Sequence, residues 1–265
     1  MKKSNAGARA KPQRPRRPAP TTAAKTKPTQ THTPRRRAEH RAMRHEEILR
    51  IALELVAERG VAGFTTTELA RRNGTALGAL YRFFPNKQAV IAALQTQALR
   101  GLREDLLAAV VRARALPVSE AARAWASFMA LADTWLCERE RHPARFRLID
   151  EVLSAPAPVY SDGDARALEA GVNDLMTIVA TCVDVAVASA AVATDVGCAR
   201  RFPLALWALL HGVSHLQKRD RLVAVDHQSA QVAGSGLTLL LRGLGADHVD
   251  VDVAWLALRP TTLVR

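Results

Sequence analysis

The residues of this chain that could do chemistry are concentrated between Thr65 and Lys87. This stretch combines hydroxyl and cationic side chains, including those of Tyr81 and Arg82, with glycine and alanine. Hydroxyl, guanidinium and ammonium groups donate hydrogen bonds to phosphate oxygens. The stretch therefore predicts a binding surface for a phosphate-bearing partner.

Catalytic patterns do not accompany these donors. The sequence contains no G-x-S-x-G, H-E-x-x-H, P-loop or G-x-G-x-x-G pattern. The carboxylate pairs Asp150-Glu151 and Glu138/Glu140 lie on ordinary charged helical faces, where sequential carboxylates do not converge. We therefore expect no enzymatic activity and no cofactor.

The cysteines favour reduced thiols in a cytoplasmic protein. They are odd in number and far apart, and no C-x-x-C or nearby histidine pair accompanies them, so disulfide and metal sites are not expected. No apolar signal segment follows the N-terminus. The most apolar stretch, 178–196, is divided by Asp184, which favours a buried helix over a membrane span. The cysteines are Cys137, Cys182 and Cys198.

Short helices must position the donors. Thr65-x-x-Glu68 is a capping box, and Asn73-Gly74 supplies a turn in which glycine adopts a positive φ without strain. A second short helix is predicted over about Ala76–Phe83. It is too short to be stable alone, so we expect Leu80 and Phe84 to anchor it in the core.

Two longer helices are predicted on either side. Apolar spacing over 48–56 indicates a helix that Gly60 ends, and Asn86 begins another whose first turn holds Lys87 near a phosphate. A capped helix, a glycine turn and a second short helix form a helix-turn-helix, which enters the major groove of DNA. The outer face of its second helix carries Leu77, Gly78, Tyr81 and Arg82.

Over about residues 44–94 the chain resembles the TetR family of bacterial transcriptional regulators. The resemblance rests on the spacing of Ile48–Leu55, the string LYRFFPNKQAV at 80–90, and Gly60, Thr65, Leu69-Ala70 and Gly74. It implies an all-α fold, with an N-terminal three-helix helix-turn-helix DNA-binding domain followed by a helical ligand-binding and dimerisation domain. We expect a disordered basic tail at 1–40, the DNA-binding domain at 41–90, the effector domain at 91–250 and a C-terminal tail at 251–265.

The matching positions imply a set of DNA contacts. Thr65, Tyr81 and Lys87 are placed for phosphates, although Tyr81 has an alternative interpretation as a packed aromatic. Leu77, Gly78 and Arg82 are placed for base edges or methyl groups. The full implied set is Arg44, Thr65, Thr67, Ala76, Leu77, Gly78, Tyr81, Arg82 and Lys87.

The recognition helix departs from the family in its polar groups. The family commonly has Val-Ser where this chain has Thr75-Ala76, so the hydroxyl cap is missing, at a cost of about 1 kcal/mol. Ala79 and Phe83 also replace donors. We hypothesise that a basic tail compensates. Residues 1–37 hold twelve Lys and Arg, six prolines and no acidic residue, in a chain of net charge +13; the alternative is a solvated tail.

The rest of the chain is predicted to be helical, with helices over 87–115, 162–192, 202–218 and 228–244 and others from Ser119 and Pro143. An aromatic row and His211 are candidates for an apolar effector pocket, with ordinary core packing as the alternative. Trp207 and His211-Gly212 resemble the Trp-His-Gly pattern of one class of TetR-like C-terminal domains. The pocket candidates are Trp125, Phe128, Trp135, Phe146 and His211, and the dimer-interface candidates are Trp207, Gly212, Gly234 and Gly236.

Two functions remain open from the sequence. The first is a homodimeric regulator, expected to be a repressor, that binds a pseudo-palindromic operator in double-stranded DNA and is released by a small, largely apolar effector. The alternative is an architectural, nucleoid-associated DNA-binding protein that uses its basic arm without a ligand. Neither interpretation involves a membrane.

Overall fold

The computed structural model describes residues 34–154, 160–189 and 196–263, and these residues form helices and no strands. The predicted all-α fold is therefore confirmed. Residues 1–33, which hold most of the predicted basic tail, lie outside the described residues. The helices are α1 Pro34–Gly63, α2 Thr66–Arg72, α3 Leu77–Leu80, α4 Lys87–Arg114, α5 Glu120–Arg141, α6 Pro143–Ser154, α7 Asp162–Ala188, α8 Val196–Leu216, α9 Ser229–Gly243 and α10 His248–Leu258, with 3-10 turns at Gln217–Leu222 and Val225–His227.

The described residues divide into two units between Arg41 and Ala42. The described part of the first unit is the start of α1, where Arg35 donates to Glu39 at 3.0 Å on an exposed face. The tail was predicted to extend to residue 40, but α1 already begins at Pro34. Proline suits the first turn of a helix, where its missing N–H would have no partner.

Helices α1 to α3 and the start of α4 share one apolar core. The predicted core positions of α1 are buried, with Ile48, Leu55 and Val56 each 2% exposed or less. Gly60 has φ 71° and ψ 171°, so the helical path of α1 breaks where the sequence predicted its end.

In the remainder of the second unit, α4, α5 and α7 pack against one another, and α6 packs on α4 and α5. Helix α8 contacts α5, α7 and α9. Helix α7 has the length and mean hydropathy, 1.5, of a possible membrane span, a test that core helices also pass. Its buried residues, which include Leu175, Val179 and Val183, belong to the core of the domain.

The predicted C-terminal tail at 251–265 is wrong for much of its length. Helix α10 is capped by Asp247 and packs on α5, with Val251, Ala254 and Trp255 buried. Ser119 donates to Asp250 at 3.0 Å, which joins α10 to the start of α5. Apolar residues surround α10 without a clear face, so its sequence did not indicate an amphipathic helix.

Candidate functional site

A tight helix-turn-helix is formed by α2 and α3. Thr65 caps α2, and its Oγ1 accepts a hydrogen bond from the Glu68 N–H at 3.3 Å. Gly74 has φ 63°, as the turn requires, and the N–H of Thr75 donates to the Ala70 carbonyl at 3.0 Å. The Ala76 side chain offers α3 no capping bond, which agrees with the missing hydroxyl noted in the sequence.

Helix α3 is held in place by two apolar side chains that pack in the core. Its α-helical part spans only Leu77–Leu80, shorter than the predicted Ala76–Phe83. Leu80 and Phe84 are 1% and 4% exposed, as predicted for anchors. His45 of α1 stacks on the Phe84 ring with 4.7 Å between the ring centroids. The position of α3 therefore depends on packing rather than on its own helical stability.

The outer face of α3 is open and poor in polar groups. Tyr81 is 44% exposed, so the alternative interpretation as a packed core aromatic is not supported. Gly78 is exposed, and a Cβ added there would meet nothing within 4 Å, whereas Leu77 is half-buried against the core. Of the other predicted DNA contacts, Thr67, Ala76 and Arg82 are exposed on the same helix-turn-helix, and the exposed Arg44 on α1 lies 4.0 Å from Glu47.

An ion-pair network that the sequence analysis missed fastens α2 to α1. Glu68 accepts hydrogen bonds from Arg71 at 2.8 and 2.9 Å and from Arg72 at 3.2 Å, and Arg59 of α1 lies at 3.4 Å. Arg72 also binds both carboxylate oxygens of Glu58 of α1, at 2.7 and 2.6 Å. The hydrogen bond from Arg71, followed by that from Arg72, lowers the pKa of Glu68 to about 2.

This network changes the predicted capping box. The Thr65 hydroxyl makes its hydrogen bond of the box. The Glu68 carboxylate binds arginines instead of accepting from the Thr65 N–H, because three guanidinium groups lie around it. Charged partners form stronger hydrogen bonds with a carboxylate than a backbone N–H does.

Lys87 lies at the start of α4, next to the helix-turn-helix. Asn86 caps α4 by accepting from the Ala89 N–H at 2.8 Å. The Lys87 ammonium donates to the Ala62 carbonyl at 3.4 Å and lies 5.9 Å from the centroid of the Phe64 ring. It is thus held at the junction of α1, α2 and α4, and a phosphate contact there remains a prediction.

Residues 48–94 match a protein-family model described as "Bacterial regulatory proteins, tetR family". They are a tetR-family DNA-binding domain. The match confirms the resemblance seen in the sequence, and it covers the helix-turn-helix together with its two flanking helices. No curated protein matches this chain.

Solved structures share the fold of this tetR-family chain at low sequence identity. A protein of unknown function from Rhodococcus sp. RHA1 has a TM-score of 0.58 and 23% identity, over 77% of this chain and 95% of the other. AibR, solved with isovaleryl coenzyme A and operator DNA, has a TM-score of 0.53 and 15% sequence identity, over 75% of this chain and 98% of its own. FadR from Bacillus subtilis, solved with stearoyl-CoA, has a TM-score of 0.54 and 13% sequence identity, over 75% of this chain and 98% of its own.

Beyond its tetR-family domain, the chain has an apolar cavity between α4, α5, α6, α7 and α8. Its free volume is about 50 Å³, so in this conformation it is narrow. Every residue that lines it is apolar, which favours an apolar occupant. The lining residues are Leu102, Leu106, Leu131, Trp135, Leu153, Val172, Leu175, Met176, Val179, Leu206, Trp207 and Leu210.

The predicted pocket residues are only partly brought together at this cavity. Trp135 lines it, but Trp125 and Phe128 are fully buried elsewhere, in a ring cluster that includes Phe202, because their side chains fill the core between helices. Phe146 packs against Trp135 from outside the lining, with 5.9 Å between centroids.

Two more of the predicted residues lie on α8, at or beside the cavity. Trp207, which was predicted at a dimer interface, lines the cavity together with α7 residues such as Met176. His211 stacks on Trp207, with 5.1 Å between centroids, beside the cavity and not in its lining.

Helix α8 has exposed residues along one face. Leu204, Gly212 and Leu216 recur on one face of α8, and Leu204 is 62% exposed. A Cβ added at Gly212 would meet nothing within 4 Å. By contrast, Gly236 packs within the chain, and Gly234 is buried, so these two predicted interface glycines serve the contact of α9 with its own neighbours.

Proposed function

We propose that this protein is a homodimeric, ligand-responsive repressor, which leaves its operator when a small, largely apolar effector enters the cavity. The supporting observation is that α6 touches both functional regions. Leu153 of α6 lines the cavity, while Arg147 of the same helix donates to the Ala57 carbonyl of α1 at 3.4 Å. The protein would act in the cytoplasm, on the nucleoid.

Charge also links α6 to the DNA-binding domain. Burial raises the pKa of Glu151, and the nearby positive charge of Lys87 opposes that shift. Leu153 and Glu151 lie two residues apart on one short helix. A displacement of α6 by a ligand would therefore change contacts to both α1 and the start of α4. Such a ligand shifts the equilibrium between the DNA-bound and the DNA-free conformation only to the extent that it binds the DNA-free conformation more tightly.

Recognition of the operator would depend on few polar groups. Arg82 is the exposed side chain of this face best suited to a guanine edge. Tyr81 and Thr67 are placed for phosphates, and Gly78 lets the backbone approach the groove. Two such faces in a dimer would read half-sites about 34 Å apart or a multiple of that distance.

The dimer is proposed to form through the exposed face of α8 together with Leu239 of α9, which is 69% exposed. Small residues such as Gly212 let two helices approach closely. Replacing Gly212 with Arg should convert the dimer to a monomer in light scattering. Gly243→Arg is the matched control, because Gly243 is exposed at the end of α9. A dimer that tolerates Gly212→Arg would exclude this interface.

Two structural relatives carry acyl thioesters of coenzyme A in their crystals, so acyl-CoA compounds are the first effectors to test. An acyl chain would suit the apolar lining. The assay measures fluorescence anisotropy of an operator duplex, taken from DNA upstream of the protein's own gene, as acyl-CoA of increasing chain length is added. Release that depends on chain length is the expected result.

A matched pair of variants tests the site of the effector. Val172→Phe fills the cavity from α7 and should abolish release while leaving operator affinity unchanged. Val187→Phe makes the same change on an exposed part of α7, where Val187 is 46% exposed, and should respond like the wild type. An unaltered response in Val172→Phe would show that the effector binds elsewhere.

The DNA-binding surface is tested in the same assay without ligand. Arg82→Ala should weaken operator binding by about 1–3 kcal/mol and relax sequence preference. Arg219→Ala removes an exposed arginine from the 3-10 turn after α8 and should have no effect.

The architectural alternative is favoured by the basic N-terminal sequence and the donor-poor α3. It predicts diffuse, salt-labile protection of DNA in footprinting, whereas a regulator gives a defined palindrome. A chain lacking residues 1–33 separates the two functions. If operator affinity and its salt dependence are unchanged, the tail does not compensate for the missing donors.

A further inference from the structure

Three potential metal ligands from two helices converge beside the cavity. His211 and His215 lie one turn apart on α8, and their Nε2 atoms are 3.3 Å from each other. Oδ1 of Asp150 on α6 lies 3.1 Å from Nε2 of His215 and 4.0 Å from Nε2 of His211. A carboxylate oxygen has lone pairs for a cation, and each imidazole offers one at Nε2 when its proton is on Nδ1.

The spacing of the three atoms fits a transition-metal ion. A circle through three points separated by 3.1, 3.3 and 4.0 Å has a radius of about 2.1 Å, which is the length of a Zn–N or Zn–O bond. An ion near the centre of that circle would lie within normal bond lengths of all three atoms, and small side-chain rotations would bring it out of their plane into a tetrahedral site with a fourth ligand. Oγ of Ser154 lies 3.2 Å from Nε2 of His211, at the edge of the same site.

The imidazole of His211 and the backbone of α8 beside it are held by neighbours that are not ligands. Ser214, between the two histidines, accepts from the Trp135 indole N–H at 2.9 Å, and its carbonyl accepts from Arg139 at 3.0 Å. The ring of His211 stacks on Trp207 with an interplanar angle of 18°. Its Nδ1 is buried and has no hydrogen-bond partner among the described residues, so its polar neighbours all lie at Nε2.

We propose that Asp150, His211 and His215 bind a divalent transition-metal ion, with Zn²⁺ as the best fit. Two imidazoles and one carboxylate are a common ligand set for zinc. The fourth position would be taken by the Ser154 hydroxyl or by water. The bound ion would join α6 to α8.

A second group of possible ligands, formed by Asp105, Glu138 and His142, does not carry the same proposal. Arg145 donates hydrogen bonds to both Glu138 and Asp105. Its guanidinium therefore already supplies the positive charge that the two carboxylates require. No described arginine or lysine is paired in this way with Asp150.

Metal binding is tested by isothermal titration of the full, tag-free chain with ZnCl₂. The expected result is one tight site per chain, and Co²⁺ in its place should give the intense visible spectrum of a tetrahedral centre. His215→Ala should weaken Zn²⁺ binding on the order of 100-fold or more, since losing even an outer partner of a ligand costs 10–100-fold. Asp150→Asn should also weaken it.

His248→Ala is the matched control. His248 is exposed, and its Nδ1 lies 3.8 Å from a carboxylate oxygen of Asp247, so it is another histidine beside an acid. It should leave zinc binding unchanged. Far-UV circular dichroism verifies that each variant is folded. Absence of a tight site in the wild type, or equal affinities in His215→Ala and wild type, overturns the proposal.

Discussion

Truncation of Leu80 to alanine should separate the stability of the recognition helix from that of the protein as a whole. Leu80 is 1% exposed and, with Phe84, anchors α3. Removing a buried leucine side chain to the β-carbon costs about 2–5 kcal/mol. Because α3 is a single turn without a side-chain cap, we expect much of this loss to appear as undocking of α3.

The magnitude for DNA binding follows from that estimate. Each 1.4 kcal/mol is a tenfold change in an equilibrium constant, so an undocking penalty of about 2 kcal/mol should weaken operator binding by up to about 30-fold. Urea denaturation gives the loss in unfolding free energy, and anisotropy of a labelled operator duplex gives the affinity.

Leu136→Ala is the matched control. Leu136 is 2% exposed on α5, outside the cavity lining and far along the chain from α3. It should lose similar unfolding free energy while operator affinity stays close to that of the wild type. If both variants, fully folded, bind the operator equally well, α3 is not the reading element and the reasoning fails.

Three further predictions concern stability. Gly236→Ala should be about 1 kcal/mol less stable than Gly243→Ala. The new Cβ at 236 would lie 2.7 Å from a methyl of Leu209 on α8, which must rotate away, whereas a Cβ at 243 meets nothing within 4 Å. Equal urea midpoints would contradict this. Thr65→Ala should lose about 1 kcal/mol with the α2 cap, and an unchanged midpoint would show that the cap is dispensable. Arg71 and the other arginines lower the pKa of Glu68 from 4.5 to about 2, so its contribution to stability is present above pH 4.5 and is lost as the pH falls toward 2. Glu68→Gln should flatten the acid unfolding profile in that window, and parallel profiles would refute the assignment.

The helix-turn-helix was predictable because its determinants are local. The cap at Thr65, the positive φ at Gly74 and the buried anchors Leu80 and Phe84 lie within twenty residues of one another and follow from backbone and periodicity rules. The arginine network was missed because Glu58 and Arg72 meet only after α1 and α2 have packed together. Its charged residues looked like solvated helix faces in the sequence.

The effector half shows the limit of the same rules. Its helices could be placed, but periodicity does not tell which buried aromatic faces a cavity and which fills the core. Trp125 and Trp135 both lie at apolar positions of α5, yet only Trp135 lines the cavity. The pair His211 and His215 was visible as an i, i+4 pair, yet the carboxylate that completes the cluster comes from Asp150 on another helix, which the fold alone places there.

Helix α10 has a consequence for the order in which the domain is completed during synthesis. It covers α5, and its Asp250 bonds with Ser119, so this contact closes a loop of more than a hundred residues. The helix-turn-helix needs only local contacts and can form while the chain is still being made. The apolar surface of α5, including the region beside Ala254 and Trp255, stays uncovered until α10 has been synthesised. A nascent chain could therefore present its DNA-binding surface before it can respond to a ligand, and it would be most prone to aggregation in that interval.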